Sequence, residues 1–479
     1  MFSPSLSQFL LLALLTSNAF AAPSQPQSRS PSSSSSGGLS MNLHRRARTV
    51  KTAEEWEAWA KNNREAVALK YGGGSSSVSK RSSGTNLLVN QNADSSFYGS
   101  LAIGTPAVSY DVILDTGSAD LWVADSDCTG CGDVPTFDSS SSSSFKNLST
   151  PFSITYGSGA AAGQLAQDTI QMAGFSVEQQ IFAVCDRISS GLLTSPVSGL
   201  LGLGFQTIAS SGATPFWQSL VEGGAWDDPL MAFQLTRYLD DTQAEELEYG
   251  GSFTMGFLNS SLYTGDIDYN DIPAGMETYW IQQISSLTSQ GSSISFSSNQ
   301  YAAIDTGTTL VGGPADVISE IYAQIEGSEP GSGSYEGYYT YPCDTNVNIT
   351  MAFGGRSWSI SNADFQVAQL SRSSCLGAFF EIDTGTTSPA WIVGDTFLKN
   401  VFTVFRYDPA SVGFAELSQV ASAMNGADDL DVPSATIGSV AAGVTATSRA
   451  NSGSRSVTFE GFGLMFSLDR FSFDCAVSV

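Results

Sequence analysis

Ile113-Leu114-Asp115-Thr116-Gly117-Ser118 has a near copy, Ala303-Ile304-Asp305-Thr306-Gly307-Thr308, 190 residues further along the chain. Each copy runs from apolar residues through Asp-Thr-Gly to a hydroxyl residue. The apolar run predicts a buried strand, and the glycine predicts the turn that ends it. A carboxylate at the end of a buried strand is costly unless something holds its charge. One Asp-Thr-Gly alone is ordinary turn chemistry. Two copies in matching contexts predict a single site assembled from two similar halves.

The chain around these triplets reads as mostly β. Short alternating runs such as Phe97-Tyr98-Gly99-Ser100-Leu101-Ala102-Ile103-Gly104 and Phe402-Thr403-Val404-Phe405-Arg406-Tyr407 are separated by turn signals. Helical stretches are few and short, Ala315 to Ile325 being one. Four further segments complete the pattern: Ala119-Asp120-Leu121-Trp122-Val123, Tyr156-Gly157-Ser158-Gly159, Gly199-Leu200-Leu201-Gly202-Leu203 and Ile392-Val393-Gly394-Asp395. In this order and spacing, from about Phe97 to Leu417, the chain resembles the pepsin-like aspartic proteases. Its serine richness and loop style resemble the fungal secreted members.

That resemblance implies a bilobal fold, two similar β-rich lobes with a cleft between them. It implies Asp115 and Asp305 as the catalytic pair of an aspartic endopeptidase that works in acid. Thr116 and Thr306 should hydrogen-bond across the lobe interface. Gly117 and Gly307 should let the backbone approach the carboxyls, and Ser118 and Thr308 should donate to their outer oxygens. Tyr156, Gly157 and Ser158 match the tip of a flap that closes over substrate, with Trp122 donating to the Tyr156 hydroxyl. The alternative for the six residues flanking the aspartates is turn chemistry, and for Tyr156 a half-buried strand aromatic. Ser158 stands where some relatives carry Asp, so apolar residues are expected around the scissile bond. Ile113 and Leu200 could line pockets, but core packing is the stronger reading. Asp395 matches a structural repeat of the active-site loop and is given no catalytic role.

Composition narrows the chemistry independently. The only histidine is His44, so the body of the chain cannot build a Ser-His-Asp or Cys-His mechanism. Amide hydrolysis is then left to carboxyls and water, with no metal or cofactor expected. Net charge is −26, which excludes a basic nucleic-acid footprint. Residues 22–81 hold ten Lys or Arg against four Glu, a segment of +6 on a remainder of −32. A basic front on an acidic body is suited to pair with it. Of six cysteines, the resemblance pairs Cys128 with Cys131 and Cys343 with Cys375. Cys128-Thr-Gly-Cys131 also has redox or zinc spacing, but no second pair or His cluster stands near it. Cys185 and Cys475 have no family partners and are free or paired with each other.

The ends of the chain read as processed segments. Residues 1–21 have a secretory-signal pattern, with an apolar run from Phe9 to Leu15 and Ala19-Phe20-Ala21 before the cut. No later segment is apolar over a bilayer's width, so no membrane span is expected. Thr52-Ala53-Glu54-Glu55 is a capping box that opens a helix ending near Gly72-Gly73-Gly74. Lys80-Arg81 is a dibasic site after a serine run. The resemblance implies a propeptide at 22–81 that inhibits its own enzyme, with Lys70 between the two aspartates; a surface lysine at a helix end is the other reading. The lobes are expected at 82–262 and 263–418, and residues 419–479 as a disordered extension. Asn147, Asn259 and Asn348 begin N-glycosylation sequons. One chain carries both triplets, so a monomer acting on protein or peptide substrates is expected. A binding-only relative would lose an aspartate or its glycine, and both triplets are intact.

Overall fold

The computed structural model describes residues 83–296, 300–385, 389–427, 430–434, 440 and 442–446. The expected signal segment and propeptide, with Lys70, Lys80 and Arg81, lie outside the described residues, as does Cys475.

Asp115 is the last residue of the strand Val108–Asp115, in which Tyr110, Val112 and Leu114 are buried at alternate positions. The next strand inward in space, Val197–Gly202, runs parallel to it, with Ile113 opposite Leu200 and Asp115 opposite Gly202. Every residue of Val197–Gly202 is buried, as expected of a strand covered on both faces. Leu121–Thr129, which follows the triplet, pairs antiparallel on its other side. The chain thus leaves the aspartate, turns, and returns across a strand from much later in the sequence.

The second triplet repeats this arrangement. Gln300–Ile304 runs parallel to Trp391–Val393, and Val311–Gly313 pairs antiparallel on the far side. The recurring Gly-Leu-Leu-Gly and Ile-Val-Gly segments are these central partner strands. Around them the N-terminal strands belong to a fourteen-stranded sheet, which continues through Gly84–Gln91, Leu247–Met255, Leu230–Leu235, Val401–Arg406 and Ser411–Leu417 to Tyr263–Asp271. Strands from both halves of the chain therefore share one sheet beneath the site. Among the described residues, the rest of the C-terminal lobe holds one five-stranded and two four-stranded sheets. The boundary expected near residue 262 falls in the connection between Leu247–Met255 and Tyr263–Asp271.

Two features fasten the halves. One is aromatic: Phe205 lies 4.3 Å from Trp280, and Trp217 lies 5.5 Å from Trp280 and 5.6 Å from Tyr407, between ring centroids. The other is ionic and buried. Lys399 Nζ sits 2.6 Å from Asp94 and 2.9 Å from Asp364, and Arg237 donates to Asp364 at 2.8 and 2.5 Å. Burial alone would lower the Lys399 pKa; the Asp364 and Asp94 carboxylates outweigh it and hold the ammonium above its usual range. Asp94 also accepts from the backbone of Tyr238 and Leu239.

Disulfides join Cys128 to Cys131 and Cys343 to Cys375. Cys185 is buried and bonded to no other described cysteine. Asn147 and Asn348 are exposed, and Asn259 is half-buried. Within the extension after Leu417, expected to be disordered, two described stretches form regular elements. Gln419–Ser422 is a helical turn capped by Ser418, and Ala442–Thr445 adds a strand parallel to Phe175–Ile188. Small residues there still offer an alternating inward face, which composition alone obscured.

Lys399→Met would leave Asp94 and Asp364 buried without their shared cation. Such a loss costs about 3 kcal/mol or more, and chemical denaturation of the variant is expected to read it directly.

Candidate active site

The two Asp-Thr-Gly turns meet at the seam between the lobes. Asp115 and Asp305 are 5% and 8% exposed, so both carboxyls lie almost wholly out of water. Each is held by its own turn. Gly117 N donates to Asp115 Oδ1 at 2.8 Å and Ser118 Oγ to Oδ2 at 2.5 Å. Gly307 N donates to Asp305 Oδ1 at 2.8 Å and Thr308 Oγ1 to Oδ2 at 2.7 Å.

The approach of one turn to the other explains the glycines. A Cβ on Gly117 would lie 2.5 Å from Asp305 Oδ2, and one on Gly307 would lie 2.3 Å from Asp115 Oδ1. Any side chain at either position would occupy the space of the opposite carboxyl. Each glycine thus lies against the other half's aspartate, which brings the two carboxyls together.

The threonines lock this contact by exchange. Thr116 Oγ1 donates to Ile304 O at 2.8 Å and accepts from Thr306 N at 3.0 Å. Thr306 Oγ1 donates to Leu114 O at 2.7 Å and accepts from Thr116 N at 3.1 Å. Four hydrogen bonds, each crossing the seam, satisfy two hydroxyls and two amides that would otherwise be buried unpaired.

Burial, then the negative charge of Asp305, pushes the Asp115 carboxyl well above the usual carboxylate range, against the hydrogen bonds from Ser118 and Gly117. Two carboxyls at this separation cannot both ionise easily, so the arrangement favours one shared proton. It can therefore present a charged oxygen and a neutral hydroxyl side by side.

Near Asp115 stands the hairpin of Lys146–Tyr156 and Gly159–Met172, in which Tyr156 faces Gly159 across the two-residue tip Gly157-Ser158. The tip is open: nothing lies within 4 Å of where a Cβ on Gly157 would stand. Its base is pinned by the Ala160 amide donating to Ser189 Oγ at 2.9 Å. Trp122 Nε1 donates to Tyr156 Oη at 2.8 Å. Burial and the nearby Asp115 charge raise the Tyr156 pKa, so the phenol stays neutral.

Trp280, which positions the site, carries no signal in the sequence, and the roles of Asp120 and Asp395 appear only in the fold. Trp280 Nε1 donates to Leu203 O at 2.8 Å, and Leu203 N donates to Asp115 O at 2.7 Å. The same tryptophan accepts from Ile304 N at 3.0 Å, so it is tied to the backbone beside both aspartates. Asp120 accepts from Ser210 N and Ser211 N at 2.7 and 3.1 Å and from Ser211 Oγ at 2.5 Å, which anchors the loop behind the first triplet. Asp395 begins the short helix after the central strand of the second lobe; its N–H donates to Thr308 O at 2.8 Å. Burial outweighs the attraction of Lys399 and pushes the Asp395 carboxyl well up. The Asp120 and Asp395 motifs could be quoted, but only the fold reveals what they hold.

With this geometry in hand, comparison with known proteins gives a consistent answer. The family model described as eukaryotic aspartyl protease matches residues 96–417. Major aspartyl peptidase 1 of Cryptococcus neoformans var. grubii is 50% identical over 351 residues, 71% of this chain and 72% of that protein. An aspartic protease of Phaffia rhodozyma is 31% identical over 424 residues, 87% of this chain and all (100%) of that protein. Pepsin A of Sus scrofa is 34% identical over 333 residues, 68% of this chain and 82% of that protein.

Asp115, Asp120 and Asp395 all have folded-state pKa values raised above those of the unfolded chain. Their protonated forms favour the fold, so their contribution is full below about pH 4 and is lost as pH rises through their folded values. Asp364, held low by Lys399 and Arg237 against its burial, behaves oppositely and loses its contribution only in strong acid. Melting temperature is therefore expected to fall between about pH 4 and pH 7. Asp395→Asn should flatten the fall in scanning calorimetry, whereas a melting temperature that climbs over this range would contradict the assignment.

Proposed function

Because the chain belongs to the eukaryotic aspartyl protease family and is an aspartic-type endopeptidase, we propose that Asp115 and Asp305 are its catalytic pair and share one proton. The observation that carries this reading is the reciprocal packing of each glycine beneath the opposite carboxyl. The charged carboxylate takes a proton from a water molecule as the water oxygen bonds to the scissile carbonyl carbon. The neutral carboxyl gives its proton to the carbonyl oxygen. The tetrahedral diol then collapses: the carboxyl that took the water's proton gives a proton to the leaving nitrogen, the C–N bond breaks as one diol hydroxyl re-forms the carbonyl and passes its proton to the other carboxylate, and one carboxyl is left protonated as before. The apparent pKa values belong to the pair.

Tyr156 and the Gly157-Ser158 tip close over the substrate and exclude water. Ser158 brings no charge to the cleft beside the scissile bond, so apolar residues are favoured there over Lys or Arg. The enzyme is made as a zymogen and exported: residues 1–21 are removed as a signal, and residues 22–81 inhibit through Lys70 until cleavage after Lys80-Arg81. The basic propeptide pairs with the acidic body at neutral pH and is released as carboxylates protonate. Asn147, Asn259 and Asn348 are its glycan acceptors. The mature enzyme acts as a monomer outside the cell.

Asp115→Asn and Asp305→Asn are each expected to lower kcat on a peptide substrate by about a thousandfold or more, with the fold retained. Full activity in either variant would remove that residue from the pair. A peptide-library digest by the mature enzyme should cut between large apolar residues, and cleavage mainly after Lys or Arg would refute the role given to Ser158.

A further inference from the structure

The strand Phe175–Ile188 pairs along one edge with Gly159–Met172. Its opposite edge is covered in two stretches. Trp122, Val123 and Ala124 of Leu121–Thr129 run parallel to Ala183, Val184 and Cys185. Further back, Ala442–Thr445 runs parallel to Phe175–Glu178, with Ala442 opposite Phe175 and Val444 opposite Val177. The short strand is bonded at both ends: Ala442 N donates to Gly174 O at 3.3 Å, and Ala446 N donates to Glu178 O at 2.8 Å.

The seat is shaped for this segment. Ala442 is buried and joins the main core, and Val444 and Ala446 pack against it, while Gly443 and Thr445 face solvent. This is the period-two pattern of a strand with one covered face. Beside it lies the helix Phe216–Glu222, which ends at Gly223. A Cβ on Gly223 would stand 2.4 Å from Val444 Cγ1 and 2.9 Å from Val444 Cβ. The φ of Gly223 is −74°, a value any residue adopts, so what limits a side chain here is space: Val444 is the nearest neighbour, and Ser219 O lies 2.9 Å from the same Cβ. The family match stops at residue 417, so this contact belongs to the part of the chain beyond it.

We propose that the edge at Phe175–Glu178, walled by the helix Phe216–Glu222, is a docking site for an extended strand of small apolar residues, and that the chain's own segment 442–446 is its standing occupant in the folded enzyme. The segment is retained in the folded enzyme as a strap along the outer edge of Phe175–Glu178. It closes a strand edge that would otherwise be free to pair with another chain.

The test uses the full chain in an inactive Asp115→Asn background, which prevents self-digestion, compared with the same protein ending at Pro433. Hydrogen exchange over residues 175–178 should be about tenfold faster or more in the shortened protein. Full-length Val444→Asp and Gly223→Ala should each exchange like the shortened protein. A synthetic peptide of residues 440–447 added to the shortened protein should restore slow exchange, and the same peptide with Val444→Asp should not. Intact mass of the secreted enzyme should include Ala446. Equal exchange in the full and shortened proteins, no effect of the matching peptide, or a secreted chain ending before Ala442 would each overturn the proposal.

Discussion

Two acidic side chains packed face to face out of water are the constraint on which the rest of this molecule depends. Bringing them together is unfavourable, because burial opposes ionisation and each negative charge opposes the other. The fold meets this cost with rigid local geometry. Each carboxyl receives an amide and a hydroxyl from its own turn, and each turn is pinned to the other by a threonine. Neither lobe could hold the arrangement alone, since each of the four threonine bonds has its donor in one half and its acceptor in the other.

The larger architecture follows from that seam. A sheet shared between the lobes, the aromatic contacts of Phe205, Trp217, Trp280 and Tyr407, and the buried Lys399 network all lie where the halves join. Paired buried charges are poor sources of stability but strong sources of geometric selection, because any other packing leaves a charge unpaired. Asp115, Asp120 and Asp395 add a bias toward acid. Their protonated forms fit the fold better, so the conditions that give the pair its shared proton also favour the structure that holds it.

Much of this was legible from the residues. The duplicated Asp-Thr-Gly identified the halves, the apolar runs before it identified the strands, and the single histidine removed competing chemistries. Trp122 and Tyr156 stood in quotable motifs, and the structure places them 2.8 Å apart. What could not be read were contacts between residues that are distant in sequence and ordinary in type. Trp280 acts through one indole N–H and a backbone carbonyl, and nothing in Tyr279-Trp280-Ile281 marks it. Lys399 and Asp94 are 305 positions apart, so their pairing is a property of the fold alone. The strand at Ala442–Thr445 was hidden by its alanine and glycine, which suggested disorder, although an edge that needs cover and a neighbouring Gly223 give those small residues a place to pack.

The most direct measurement is titration of the Asp115 carboxyl by NMR in the mature enzyme with carbon-labelled aspartate, alone and with Asp305→Asn. The account predicts that Asp115 keeps its proton well above the ordinary carboxylate range, and that removing the Asp305 charge moves this step to lower pH. Identical titration of Asp115 in both proteins, or loss of both of the pair's protons in the ordinary carboxylate range, would contradict the sharing of one proton across the seam.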